Sequence, residues 1–310
     1  MTTQSRTARR PRPARAAEVE ALHQTLSNWG RFGERDQLGT LNLVTRERSA
    51  AAAALVRTGR SVSCARAIDT EPSAENPQPA LHHMIGTASE GWGGDFLALA
   101  PHGYATSHID ALCHIFHAGM LYNGYSCQRV TARGALDLSI DALRDGVVAR
   151  GVLLDPPRVD GRPFLEPGEA LHPEDLERAE VESGARAGPG DVLLVRTGRW
   201  RLRDERGSWD PRERLAGLHA SCLPWLRERD VSVLGSDGVS DVIPSGVEGA
   251  RLPIHEVGIV AMGLHLLDNL DLEALSAACS EEGRSSFLLV LAPLVLARGT
   301  ASPLNPIAVF

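Results

Sequence analysis

Four short apolar runs set the framework of the chain. Residues 147–155, 191–198, 231–238 and 286–293 are rich in Val and Leu and closed by polar or proline-bearing turns. Runs of that length predict strands buried on both faces, as in a sheet covered by helices. Between them the pattern changes period. Val19, Leu22 and Leu26 recur at spacings of three and four and predict a helix over 17–27. Thr45, with Glu47 and Arg48 behind it, caps a second helix that runs to Val56 and stops before Gly59. His172-Pro173-Glu174-Asp175 opens a third, with proline and acids in its first turn. A fourth spans 218–229, and short helices surround Ile140 and Leu272–Leu275. Further strands are expected at 61–68, 96–100, around His82-His83-Met84 and at 302–310, with a proline-rich loop at 71–79. Strands alternating with helices predict an α/β fold: one domain over 18–310 around a mixed central sheet.

Composition narrows the function. A chain of 310 residues with 43% hydrophobic and 23% charged residues reads as globular. A net charge of −7 and few aromatic residues argue against nucleic acid as the partner. No apolar run approaches the roughly 20 residues a membrane span needs. Cys64, Cys113, Cys127, Cys222 and Cys279 show no CxxC spacing, so reduced thiols and a cytoplasmic location are expected. Residues 1–17 carry Arg6, Arg9, Arg10, Arg12 and Arg15 without the apolar core of a secretory signal, and are expected to be a disordered basic tail.

The chemistry concentrates in Ser107-His108-Ile109-Asp110-Ala111-Leu112-Cys113-His114. Two imidazoles and a carboxylate in the order His-x-Asp-x-x-x-His suit a divalent ion such as Zn, Mn or Fe. In an extended segment His108 and Asp110 face the same side. His114 is expected on a following helical turn, as a ligand or a proton-transfer group. Strand 96–100 and the small and hydroxyl residues 101–106 deliver this segment as a loop. At the carboxyl end of the 231–238 strand, Asp237 and Asp241 stand where sites of open α/β sheets gather, with a turn-forming Asp237 the plainer reading. Arg196, ending another strand, is placed either for an anionic substrate group or for a salt bridge.

The segment is similar to the signature His-x-Gly-Thr-His-x-Asp-x-x-x-His of the cyclase family. That family holds bacterial kynurenine formamidases, isatin hydrolases and several polyketide ring-closing enzymes. Ser107-His108-Ile109-Asp110 stands for Thr-His-x-Asp, and His114 for the last histidine. The family's first histidine, a metal ligand, falls on Tyr104, while His102 lies two residues earlier and could take that ligand's place if the loop path differs. His255, followed by Asp268-Asn269-Leu270, resembles the family's second metal segment, with Asp268 in place of a glutamate. Residues 29–43, including Trp29 and Phe32, resemble the N-terminal segment of its longer members. The resemblance implies a swivelling β/β/α fold and Zn or Mn held by His108, Asp110, His255 and Asp268, one ion rather than two. It also implies His114 as acid and base; beside it, Tyr104 is a candidate second catalytic group, and Trp29, Phe32, His102 and Arg196 are candidate contacts of a small-molecule substrate. The implied reaction is hydrolysis of an amide, lactam, ester or lactone by a homodimer or homotetramer. Two alternatives stand beside it: cyclisation, dehydration or isomerisation, metal-free if Tyr104 has cost the site its ion, and a non-catalytic binding protein.

Overall fold

The computed structural model describes residues 12–310. Its strands are β1 (Ser61–Ser63), β2 (Leu81–Gly86), β3 (Gly94–Ala98), β4 (His108–Asp110), β5 (Val147–Leu154), β6 (Val192–Val195), β7 (Val233–Ser236), β8 (His265–Asp268), β9 (Ser286–Leu291), β10 (Ala301–Pro303) and β11 (Ile307–Val309). Nine of them form one mixed sheet in the order β1-β11-β9-β5-β6-β7-β8-β4-β10. The middle four, β5 to β8, run parallel. The flanking pairs are antiparallel. The helices of eight residues or more are α1 (Ala16–Thr25), α2 (Arg46–Ala53), α3 (Pro173–Ser183), α4 (Arg199–Arg206), α5 (Cys222–Arg229) and α6 (Glu273–Glu281). The apolar runs do what their composition requires: every residue of β6 and β7 is buried. None of the described helices is long and apolar enough to cross a membrane.

Local chemistry accounts for most element ends. The Thr45 side chain accepts from Arg48 N and caps α2. Pro173 opens α3, and Asp175 reaches back to His172 N. One expected strand shortens. The strand expected over 61–68 keeps only Ser61–Ser63, because Cys64 N turns to Pro306 O and Ala65 bridges Leu270. Helix α4 had no sequence signal, since it carries six charged residues in eight and begins at a glycine. The basic tail falls outside the described residues up to Pro11; beyond it the chain is anchored, with Arg12 paired to Glu174 and Arg15 bridging Glu248.

Residues 28–43 take a role the sequence did not suggest. Behind the three-residue helix Pro253–His255 the chain winds into a π-helix, Glu256–Met262. Asn28 N and Nδ2 donate to Ala261 O and Met262 O, the Trp29 indole to Val260 O, and Thr40 N and Oγ1 to Gly263 O. The segment thus satisfies carbonyls that a helix end leaves without partners. Trp29 and Phe32, expected to wall a pocket, are therefore a helix clasp and a half-buried ring under the Arg31 guanidinium. The approach is so close that a Cβ on Gly39, at φ +57°, would sit 2.1 Å from Gly263 O.

The carboxyl ends of β6 and β7 are tied by ions. Asp237, wholly buried, accepts from the amides of Thr197, Gly198 and Arg199 and from Thr197 Oγ1, and so holds the start of α4. It is the structural turn residue of the two readings. Arg196, expected at the substrate, instead binds Asp155 at 2.9 Å, Glu273 at 2.7 Å and the Pro163 carbonyl at 2.8 Å. Four of its five N–H donors are engaged by Glu273, Asp155 and the Pro163 carbonyl, as in a structural salt bridge. Asp237→Ala strips four buried donors of their acceptor, so urea unfolding should show a loss of roughly 3–5 kcal/mol; a loss below about 1 kcal/mol would contradict this account of the α4 junction.

Candidate metal centre

Strand β4 sets the geometry. His108 and Asp110, two apart, share one face, and Ile109 between them is buried in the core. On one side β8 runs antiparallel with Asp268 directly across from His108; on the other, β10 places Ala301 opposite Asp110. The loop before β4 brings His102, whose Nδ1 lies 3.1 Å from Asp110 Oδ1 while its Nε2 sits 3.0 Å from Thr300 Oγ1. The short helix after Pro253 brings His255, with Nε2 3.3 Å from Asp268 Oδ2 and 3.6 Å from Asp110 Oδ2. Two overlapping donor groups result: His102, His108 and Asp110, and Asp110, His255 and Asp268, each with ligand atoms within 4.8 Å of one another.

These groups converge without satisfying each other. Both Asp110 oxygens, Asp268 Oδ1 and His102 Nδ1 are buried and have no hydrogen-bond partner. Leaving such atoms unpaired costs on the order of 1–3 kcal/mol each, more for charged groups. The tautomers sharpen the point. His108 Nδ1 lies 2.8 Å from the Thr106 carbonyl, which only accepts, so Nδ1 carries the hydrogen and Nε2 turns its lone pair on Asp110. His255 Nδ1 donates to Asp241 at 2.7 Å, so its Nε2 lone pair faces two carboxylates. Lone pairs facing carboxylates in a buried site call for a cation between them. Three imidazoles and two carboxylates, without a thiolate, fit Zn, Mn or Fe. In the bare protein that demand falls on protons: the neighbouring carboxylates, outweighing burial, push His108 up to about 9 and raise His255 well above its usual range. Asp110 lies well below the ordinary carboxylate range despite burial, held there by the surrounding imidazoles.

A supporting layer holds the donors. Asp241 accepts from Ile254 N, His255 N and His255 Nδ1, fixing both the path of the short helix and the imidazole. Asn269, at φ 55°, donates to Gly103 O and Thr106 O and accepts from Arg199 Nη1. Arg199 also donates to the Tyr104 carbonyl, so the loop carrying His102 is pinned from behind. His265 donates to the backbone carbonyl of Asp110. Of these, Arg199 was invisible in the sequence because its helix was, and Asp241 was signalled by its place beyond a strand's carboxyl end.

The other expected residues divide. His114 follows β4 in a turn, His114 N to Ala111 O, rather than on a helix. Its ring stacks on His102 at 3.8 Å and 11°, and burial drives its pKa down to about 4, leaving it neutral. Tyr104 turns its ring towards Leu215, Val239 and Ile243, while the backbone carries its link to the site. With His102 it borders a cavity of about 200 Å³ that also includes Glu75, Asn76 and Arg212. His102, expected at the substrate, joins the donor set. The Cys113 thiol, buried and raised to about 12, is a packing group. All of this predicts how metal uptake depends on pH and on Asp241. Below about pH 9 His108 must shed a proton to bind, so affinity should fall as pH drops. Asp241→Asn should weaken Zn affinity about 10–100-fold at every pH. Competition with a chromogenic chelator measures both; a flat pH dependence or unchanged affinity would contradict the tautomer argument.

A solved structure described as a novel cyclase superposes on the chain with a TM-score of 0.84 at 29% identity, covering 93% of this chain and 99% of its own. Isatin hydrolase A from Labrenzia aggregata, solved with benzyl benzoate, gives 0.58 at 20% identity over 84% of this chain and 96% of its own. Isatin hydrolase A from Ralstonia solanacearum gives 0.56 at 19% identity over 85% and 97%. At such identities the two hydrolases share a fold with this chain. No curated protein matches the chain. The family model "Cyclase" matches residues 45–241, well over half of the sequence, and the chain belongs to the cyclase family.

Proposed function

We propose that the protein is a metal-dependent hydrolase of a small-molecule amide, lactam, ester or lactone. The observation that carries this reading is the convergence of His102, His108, Asp110, His255 and Asp268 with buried, unpaired donor atoms. A divalent ion bound there supplies a polarised carbonyl and a water of lowered pKa. The chain's own residues do the rest. His114, neutral and stacked against His102, takes the proton of the attacking water and returns it to the leaving nitrogen or oxygen. Asp241 keeps His255 in the tautomer that presents Nε2. Glu75, Asn76, Tyr104 and Arg212 offer polar contacts in the cavity beside His102.

Membership of the cyclase family, with its hydrolases and ring-closing enzymes, agrees with this reading. The metal-free alternative drew on the loss of the first ligand to Tyr104. His102 stands 3.1 Å from Asp110 and offers that missing donor, so the alternative has no observation in its favour. A homo-oligomer is part of the same reading. The β2–β3 hairpin exposes Leu81, Met84, Ile85, Trp92, Phe96 and Leu97, more apolar surface than an isolated hairpin sustains in water. Light scattering should return at least twice the chain mass; a monomer at micromolar concentration removes this part.

A screen of formanilides, isatin-like lactams, aryl esters and lactones should find turnover that a chelator abolishes and Zn or Mn restores. On the best substrate His114→Ala should lower kcat by about 10²–10⁴-fold while metal content is kept. Full kcat in that variant would remove His114 from the mechanism. Turnover insensitive to complete metal removal would overturn the reading as a whole.

A further inference from the structure

We infer a second divalent-cation site, of the Zn type, built from His23, His117 and Glu256, with Glu20 orienting the His117 ring from its other nitrogen. It lies outside the donor set described above. His23 sits on the inner face of α1 and is 8% exposed; its Nε2 is buried and has no hydrogen-bond partner. That atom is 3.4 Å from Glu256 Oε1, outside hydrogen-bonding geometry. His117, in the turn after the signature segment, brings Nδ1 to 2.6 Å from the same oxygen. The two imidazoles lie face to face at 3.8 Å and 15°, so both aim at one carboxylate. The ligand atoms of all three residues lie within 4.8 Å of one another. Glu20, three residues before His23 and therefore on the same helix face, places Oε2 3.1 Å from His117 Nε2.

Two imidazoles and one carboxylate are a Zn donor set, and a water completes a four-coordinate ion. An ion between the groups gives the buried His23 nitrogen the partner it lacks. Two ligands on a tetrahedral ion stand roughly 3.3 Å apart at such bond lengths. His117 must therefore turn and back away from Glu256, and as a partly exposed loop residue it has room to do so. The consequence is a staple. It ties α1 to the turn three residues beyond His114 and to the residue directly after His255, so an ion there braces two arms of the main centre without touching its donors. Nothing in the proposed hydrolysis uses these side chains.

The test is Zn²⁺ titration of the metal-free full chain by calorimetry, with Co²⁺ absorption as a second readout and circular dichroism to confirm folding. A His108→Ala/Asp268→Ala variant, its main centre disabled, should still bind one equivalent, show the visible Co²⁺ bands of a four-coordinate site, and gain thermal stability from Zn²⁺. Adding His23→Gln or His117→Gln should abolish all three. In the otherwise intact chain His23→Gln should remove one equivalent and leave the main centre filled. If the disabled variant binds no Zn²⁺, or binds it equally with and without His23→Gln and His117→Gln, the second site does not exist. Failure of the main-centre assignment looks different: His108→Ala/Asp268→Ala would then leave the stoichiometry of the otherwise intact chain unchanged.

Discussion

A carboxylate 1% exposed, with neither oxygen hydrogen-bonded, is among the costliest things a folded chain can keep, and Asp110 is one. Every nearby element is arranged around it. His102 and His108 approach Oδ1, His255 approaches Oδ2, and Asp268 closes the far side across the β4–β8 register. An apolar core would expel such a cluster, and without a cation its lone pairs are answered only by protons taken up on His108 and His255. A cation at the centre of these groups turns the same arrangement from a liability into a binding site. That requirement explains why so much of the surrounding chain is spent on positioning.

The positioning is layered. The sheet supplies His108, Asp110 and Asp268 from adjacent antiparallel strands, where register fixes their spacing. His102 and His255 come from a loop and a three-residue helix, which register cannot hold. Each is secured by a buried polar residue instead: Asn269 grips the loop through Gly103 and Thr106, and Asp241 grips the helix through Ile254 and His255. Arg199 joins these layers to Asp237 and the α4 junction. The π-helix behind His255 widens the chain's path by one residue per turn, a distortion found often at functional sites. Asn28, Trp29 and Thr40 close its far end. Stability and site geometry thus rest on the same buried hydrogen bonds.

How much of this the sequence showed follows from the range of the interactions. Strands β5, β6, β7 and β9 were legible because short, bounded apolar runs have few other uses, whereas β8 was hidden in an apolar stretch continuous with the π-helix. His108, Asp110 and His114 were legible because their spacing is local, and His255 and Asp268 because they resemble a known pair of segments. The fates of His102 and Arg196 were not legible. Each depended on which residues far along the chain came to lie beside it: Asp110 and Thr300 for the one, Asp155 and Glu273 for the other. Helix α4 was hidden because its charges mask the buried Trp200 and Leu202, and its start is fixed by Asp237 from another strand. Trp29 reads in sequence as an exposed aromatic suited to a ligand; only the π-helix carbonyls reveal it as a cap.

The central claim is that a metal ion sits among these five side chains with Asp110 at its middle. The most direct measurement is anomalous scattering from a crystal of the Zn- or Mn-saturated protein. The account predicts a peak at coordinating distance from the Asp110 carboxylate, flanked by His108 Nε2, His255 Nε2 and Asp268. Absence of anomalous density there, with Asp110 and Asp268 hydrogen-bonded to protonated imidazoles instead, would contradict it.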